Sequence, residues 1–240
     1  MAASLLRLAG LAVGTGALVR ATWALRGDGR FPLAAMVRAE LGRGRGRRGA
    51  VPVCIAGGVA LVAAPVGWSL RAGDATLAVD PRWVDVTALA LLGTAVLKLL
   101  LVVFEELAFR AGVMRAFAPR LGLAGAIVLG AFAFAAAHGR GAAATAVLFV
   151  DGVGFAVAYA STRSLRAPIA WHAAKNFTVW LIAGQGTVQL AAGPLRVLPT
   201  GAADAGSVGI ELVATIAIVV PVAAWLSRPR ASGSLGTSST

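Results

Sequence analysis

The chain places two adjacent acids inside a long hydrophobic run, which extends from Val86 to Arg110 and carries Glu105 and Glu106 near its end. An ionised side chain at the centre of a bilayer costs roughly 2.5–3.5 kcal/mol by insertion measurements, so acids in such a run mark functional positions by default. Both histidines of the chain also lie in apolar stretches. The residue types that transfer protons are therefore concentrated in segments suited to a membrane.

The composition supports a membrane location for most of the chain. Of its 240 residues, 58% are hydrophobic and 13% are charged, whereas a soluble domain has about 45–50% apolar and about 25% charged residues. A helix needs about 20 apolar residues to cross a bilayer. Apolar runs of this kind predict an all-α, polytopic transmembrane bundle with spans at 4–25 (the weakest), 50–69, 86–117, 121–138, 142–160, 168–184 and 208–226. We therefore expect about six to seven spans.

The predicted spans divide the chain into three parts. Residues 1–49 hold an N-terminal helix and an Arg-rich cytoplasmic segment, 50–226 hold the bundle with core motifs at 86–180, and 227–240 form a disordered tail. Arg-rich loops alternate with Arg-poor loops, which places the Arg-rich loops and the C-terminus in the cytoplasm by the positive-inside rule. A cleaved signal peptide is the less favoured alternative at the N-terminus, because cleavage would leave the Arg-rich segment outside.

The charge of the chain does not indicate a nucleic-acid partner. The net charge is +12, but the arginines lie in short loops, where topology and anionic lipid headgroups explain them. The single cysteine, Cys54, excludes an internal disulfide and a cysteine-based metal site. We expect the lipid bilayer as a partner. Basic residues that are nearly all Arg, with many Ala and Gly, favour a bacterial cytoplasmic membrane.

The spacing of the acids gives them different tasks. Glu106 and Arg110 are four residues apart, so they share a helix face and are placed to form a salt bridge. Glu105 is rotated from Glu106 by about 100° around the helix and cannot use Arg110 as easily. The spacing predicts a structural Glu106–Arg110 pair and leaves Glu105 as the free carboxylate.

Two more pairs at the same spacing follow along the chain. They are Phe134 with His138, and His172 with Asn176. The patterns Glu-Glu-x-x-x-Arg, Phe-x-x-x-His and His-x-x-x-Asn, in this order, resemble the CPBP intramembrane protease family. That family includes the type II CAAX prenyl endopeptidases and the bacterial bacteriocin-processing and immunity (Abi) proteins. The family usually has Gly directly after the motif arginine, whereas this chain has Ala111 there.

The resemblance implies a proteolytic centre within the membrane. In it, Glu105 would activate a water molecule together with His138. His172 and Asn176 would donate hydrogen bonds to the oxyanion that develops on the peptide carbonyl. The same resemblance implies three supporting residues, namely Glu106, Arg110 and Phe134. The expected activity is cleavage of membrane-associated peptides, prenylated or bacteriocin-like.

A metal site is the alternative chemistry. Glu105, His138 and His172 with an open position would match a catalytic zinc site. However, the chain lacks His-Glu-x-x-His, and Asn176 would be a poor fourth ligand. We favour a metal-free centre with no predicted cofactor and keep zinc as the alternative.

Two other functions compete with the protease. One is a non-catalytic immunity or scaffold protein of the same fold. The other is a proton-coupled transporter that uses Glu105, Asp151 and Lys98 as a relay. Asp151 in mid-span is expected to pair with Lys98, and Lys175 is expected to reach a cytoplasmic loop without a chemical role.

Overall fold

The computed structural model describes residues 41, 49–183, 193–200 and 205–228. The described part is mostly helical, with helices α1 (Ala50–Ala72), α2 (Ala88–Glu106), α3 (Arg115–Ala137), α4 (Ala142–Thr162), α5 (Arg166–Ala183) and α6 (Ala205–Ser227). The weak span expected at 4–25 and nearly all of the expected tail lie outside the described residues, so the N-terminal and C-terminal assignments stay predictions.

Within the described ranges, three helical stretches are long and apolar enough to cross a membrane. They are Ala50–Ala72, Ala88–Ala137 and Ala142–Thr162, and Glu211–Ser227 is a shorter apolar helix. Large apolar side chains also lie on the outside, where Leu89 is 79% and Phe132 is 61% exposed. An apolar exterior of this kind suits lipid rather than water. The chain is a helical membrane bundle, and the count of about six to seven spans stays a prediction.

The stretch from Ala88 to Ala137 changes its helical form twice. Between α2 and α3, Leu107–Met114 forms a π-helix, in which each N–H bonds the carbonyl five residues back. Gly122 then leaves the helical region with φ 69° and ψ 171°, a conformation that a residue without a Cβ adopts at little cost. The helix thus passes Pro119 and changes direction at Gly122. The boundary between the predicted spans 86–117 and 121–138 therefore lies at Gly122.

The chain is mostly helical, as predicted, and the structure adds two short strands between the helices. Strand β1 (Ala75–Val79) pairs antiparallel with β2 (Leu195–Pro199), and Leu77 lies opposite Val197. Both segments carry the branched apolar residues that favour strands. Each strand has only five residues, so neither forms an apolar run long enough to cross a membrane. The pattern of apolar runs therefore does not indicate them.

Hydrogen bonds of Asp80 connect this two-stranded sheet to the segment that precedes α2. Its side chain is fully buried, accepts from Arg82 Nη2 at 2.7 Å and caps a short 3₁₀ helix, Pro81–Asp85. Its backbone N–H donates to the Pro194 carbonyl at 3.0 Å. The Arg82 hydrogen bond lowers the pKa of Asp80 from 3.8 to about 2.

The tightest helix contact joins α1 and α5. A Cβ added at Gly58 would overlap the carbonyl oxygen of Trp171 and lie 2.8 Å from the Cβ of Ala174. Trp171 itself is fully buried. The absence of a side chain at Gly58 lets the two backbones approach closely, as small residues commonly do in membrane bundles. This contact holds α5, which carries His172, against the rest of the bundle.

Candidate active site

The structure shows the ion pair expected from the spacing of Glu106 and Arg110. Both side chains are fully buried, and Arg110 Nε lies 3.1 Å from Glu106 Oε2. The pair has the distance of a salt bridge but not the angle of a hydrogen bond. Arg110 Nη2 donates to the carbonyl oxygen of Gly152 at 3.2 Å, which ties the π-helix to α4.

Aromatic rings enclose the guanidinium of Arg110. Its central carbon lies 4.9 Å from the ring centre of Phe134 and 5.4 Å from that of Phe155. A buried cation over aromatic faces gains roughly 1–2 kcal/mol from the ring quadrupoles. Arg110 is therefore a fixed positive charge inside the bundle, with a structural role.

His172 connects the two acids. Its Nδ1 lies 2.9 Å from Glu106 Oε1, and its Nε2 lies 3.4 Å from Glu105 Oε2. The ring stacks on Phe155, with centroids 4.7 Å apart and planes 15° apart. The seventh residue of α5 therefore lies against the last two residues of α2. His172, the first residue of the His-x-x-x-Asn motif, is therefore in direct contact with Glu106, the second of the two acids.

Glu105 is buried but much less constrained than Glu106. Its exposed fraction is 6%, and within the described residues its Oε2 atom accepts no hydrogen bond. Arg110 makes no salt bridge to it, while His172 approaches it at 3.4 Å. Glu105 is therefore the carboxylate with an available oxygen, in agreement with the rotation between the two acids.

His138 ends α3 and is held by its own helix. Its Nδ1 lies 2.8 Å from the Phe134 carbonyl oxygen. A carbonyl only accepts, so Nδ1 carries the hydrogen and the neutral ring has its free lone pair on Nε2. The ring also packs on the Phe134 side chain at 4.6 Å. His138 is near enough to Glu105 to interact with it electrostatically.

Phe134 occupies the centre of the site. Its ring makes edge contacts with His138, His172 and Phe155 at 4.6 to 5.9 Å. This arrangement fits the packing role that its position in the motif implied. The sequence reasoning assigned no role to Phe155, although it lies four residues after Asp151 and so shares its helix face. Asn176 lies one turn after His172 on α5 and is partly buried.

The expected pairing of Asp151 with Lys98 is wrong. Asp151 is 1% exposed, and its Oδ2 forms an ion pair with Lys175 Nζ on α5. Lys175 therefore does not simply extend to a loop, as expected, because only 14% of its side chain is exposed. Asp151 pairs with Lys175 because α4 and α5 pack against each other.

The donor atoms do not fit the alternative zinc site. In the described ranges, no group of three or more His, Cys, Asp or Glu side chains is close enough to hold a metal ion. His172 directs both nitrogens at carboxylates, and Nδ1 of His138 is used by a carbonyl. A three-ligand zinc centre needs nitrogen and oxygen atoms at about 2 Å from one point. The set Glu105, His138 and His172 does not provide it here.

Fold and site together define a helical membrane protein with a buried carboxylate–imidazole centre built from separate helices. Residues 87–178 match the family model described as type II CAAX prenyl endopeptidase Rce1-like. The matched segment contains all three motifs, from Glu105 to Asn176, so the resemblance to the CPBP family is confirmed over this part of the chain. Searches of curated proteins and of solved structures gave no match.

Proposed function

We propose that the protein is an intramembrane endopeptidase of the CAAX type, which hydrolyses peptide bonds of membrane-associated substrates. The observation that supports this most strongly is the approach of Glu105 Oε2 to His172 Nε2 at 3.4 Å, across two helices and in a buried setting. A carboxylate accepts a proton from water, and an imidazole moves protons near neutral pH. The Rce1-like match over 87–178 supports a protease activity.

His172 lies between two carboxylates in this proposal. Its Nδ1 faces Glu106, and its Nε2 faces Glu105. An N–H on Nε2 is available as a donor once the proton of the water has moved to Glu105.

The proposed reaction uses these groups in order. Glu105 accepts a proton from a water molecule whose oxygen bonds to the peptide carbonyl carbon, and the Nε2 lone pair of His138 helps to orient that water. The carbonyl oxygen becomes an oxyanion, which the amide of Asn176 and the Nε2–H of His172 stabilise as donors. The C–N bond then breaks, and Glu105 returns its proton to the leaving amine.

The supporting residues position His172 and exclude water in this scheme. Glu106 and Arg110 hold the imidazole of His172 from the side opposite Glu105, and the rings of Phe134 and Phe155 exclude bulk water from it. Such fixed donors act strongly because they need no reorganisation during the reaction. The surroundings that we propose are a bacterial cytoplasmic membrane, with the C-terminus in the cytoplasm.

The decisive experiment compares purified wild type with Glu105→Gln in the same detergent. The substrates are prenylated and unprenylated membrane peptides and bacteriocin-like leader peptides, and mass spectrometry identifies the products. We expect turnover to fall by roughly 10²–10⁴ in Glu105→Gln. The matched control is Glu211→Gln, which removes an exposed acid on α6 and should retain wild-type turnover. Equal turnover by wild type and Glu105→Gln would refute the proposal.

A chelator arm tests the metal-free form of the mechanism. We expect turnover to be unchanged after incubation with a strong zinc chelator and dialysis, because the donor atoms do not converge on one point. Loss of turnover that added zinc restores would refute the metal-free mechanism and leave the peptidase assignment standing.

A further inference from the structure

Asp151 and Lys175 form a buried ion pair that the proposed reaction does not use. Asp151 on α4 is 1% exposed, and the side chain of Lys175 on α5 is 14% exposed. Two charges buried together add little net stability compared with apolar side chains of the same size, because both must leave water. An ion pair has a direction, however, whereas apolar packing is non-directional. The pair is therefore suited to holding two helices in one relative orientation.

A second contact joins the same faces of α4 and α5. Phe155, four residues after Asp151, stacks on the ring of His172 with centroids 4.7 Å apart. His172 in turn lies three residues before Lys175. Residues three or four apart share a helix face, so the two contacts lie about one turn apart on each helix. Together they fix the rotation of α5 against α4, which a single contact would not do.

Asn176 lies at the end of the α5 turn that these contacts hold. It directly follows Lys175 and is four residues after His172, so it shares a face with the imidazole. Its side-chain amide makes no hydrogen bond to another described residue. On the α1 side, Gly58 lies close to the backbone of α5 but has no side chain to lock the helix. The direction of the Asn176 amide therefore depends on the contacts of α5 with α4.

The same turn of α4 also holds the segment that carries the acids. The carbonyl of Gly152 accepts from Arg110 Nη2 at 3.2 Å, and Arg110 pairs with Glu106. One turn of α4 thus contacts the support of the acids and the helix of the oxyanion donors. A rotation of α5 against this turn would move Asn176 relative to Glu105 and leave the Glu106–Arg110 pair intact.

We propose that Asp151 is a positioning residue, which through Lys175 directs the amide of Asn176 toward the developing oxyanion; this role rests on the peptidase function proposed above. Asp151 itself touches neither the substrate nor the attacking water. A catalytic group displaced by about 1 Å can lower the rate about 10²-fold. The loss appears in kcat rather than in KM, because the oxyanion forms only as the transition state is approached.

The test separates kcat from stability with variants that remove both charges. Asp151→Asn/Lys175→Met and Asp151→Leu/Lys175→Met leave no unpaired member of the ion pair, and thermal unfolding in detergent shows which of them is folded. We expect a folded double variant to keep an unfolding midpoint near that of wild type. Its kcat on the peptide panel should fall about 10- to 10²-fold with little change in KM. Lys175→Arg keeps a cation for Asp151 and should retain most of the wild-type kcat.

The matched control removes the ion pair of another buried aspartate. Asp80→Asn/Arg82→Met acts before the beginning of α2, and Glu105 lies about 25 Å further along that helix. This control should keep the kcat of wild type. A double-mutant cycle on kcat adds Asn176→Ala to the Asp151/Lys175 variants. If the pair acts through Asn176, kcat in the Asn176→Ala background should fall no further.

The other outcomes overturn the proposal in distinguishable ways. Wild-type kcat in a folded Asp151/Lys175 double variant would refute the positioning role while the peptidase function stands. A further fall of kcat in the Asn176→Ala background, or an equal fall in the Asp80→Asn/Arg82→Met control, would refute it as well. Failure of both double variants to fold, with Lys175→Arg fully active, would make the pair structural only. No cleavage by wild type would refute the peptidase function and the positioning role with it.

Discussion

His172 Nδ1 lies 2.9 Å from Oε1 of the buried Glu106, on a helix sixty-six residues away in sequence. This contact makes Glu106 more than the partner of Arg110, because the same carboxylate orients the imidazole that faces Glu105. A ring nitrogen held by a carboxylate fixes the orientation of the imidazole. The two adjacent acids therefore act on one histidine from two sides.

Substitution of Arg110 should lower the free energy of unfolding of the bundle. Arg110→Met leaves the carboxylate of Glu106 buried without its cation and the Gly152 carbonyl without its donor. We expect the free energy of unfolding to fall by about 3–5 kcal/mol, as measured by thermal unfolding in detergent. The double variant Glu106→Gln/Arg110→Met should recover part of the loss, since the Glu106 carboxylate is then no longer buried without Arg110. A double variant no more stable than Arg110→Met would contradict the pairing.

The α1–α5 contact should be intolerant of one methyl group. Gly58→Ala drives a Cβ into the carbonyl of Trp171, and overpacking of this kind costs about 1–3 kcal/mol. Gly67→Ala is the matched control on the same helix, where no atom lies within 4 Å of the added Cβ. Because alanine favours helix over glycine by about 1 kcal/mol, the control should keep or gain stability. Equal effects of the two substitutions on the unfolding midpoint would contradict the close approach.

The ion pair of Asp151 should depend on Lys175 and not on Lys98. Lys175→Met leaves the carboxylate of Asp151 buried and unpaired, which is expected to cost a few kcal/mol of stability. Adding Asp151→Asn to Lys175→Met should restore most of the stability, whereas adding Asp151→Asn to Lys98→Met should not help. A thermal-unfolding double-mutant cycle gives both coupling energies. A coupling energy between Asp151 and Lys98, with none between Asp151 and Lys175, would contradict the Asp151–Lys175 ion pair.

The hydrogen bonds of Asp80 connect the strands to α2, and we expect this connection to be sensitive to acid. The folded pKa of Asp80, about 2, lies below its ordinary value of 3.8, so the carboxylate stabilises the fold above pH 4 and loses that contribution as the pH falls toward 2. The unfolding midpoint of wild type should fall more over this window than that of Asp80→Asn. Substitution of the exposed Asp85 by Asn is the control and should leave the pH dependence as in wild type.

The sequence was enough to predict the relations that lie within one helix. Glu106 and Arg110 are four residues apart and pair as the spacing requires, while Glu105 points elsewhere. Phe134 and His138 share a face for the same reason, and the ring of one packs on the other. These contacts depend on the pitch of a helix, which the local sequence sets.

Contacts between helices were decided by the tertiary structure alone. The sequence suggested Lys98 as the partner of the mid-span Asp151, but in the structure Asp151 pairs with Lys175 of α5. The direct contact of His172 with Glu106, the change of direction at Gly122 and the pairing of β1 with β2 were equally hidden. Periodicity records only which face of a segment is apolar. Which faces meet depends on close approaches such as that of Gly58 and Trp171, and these involve residues distant in the chain.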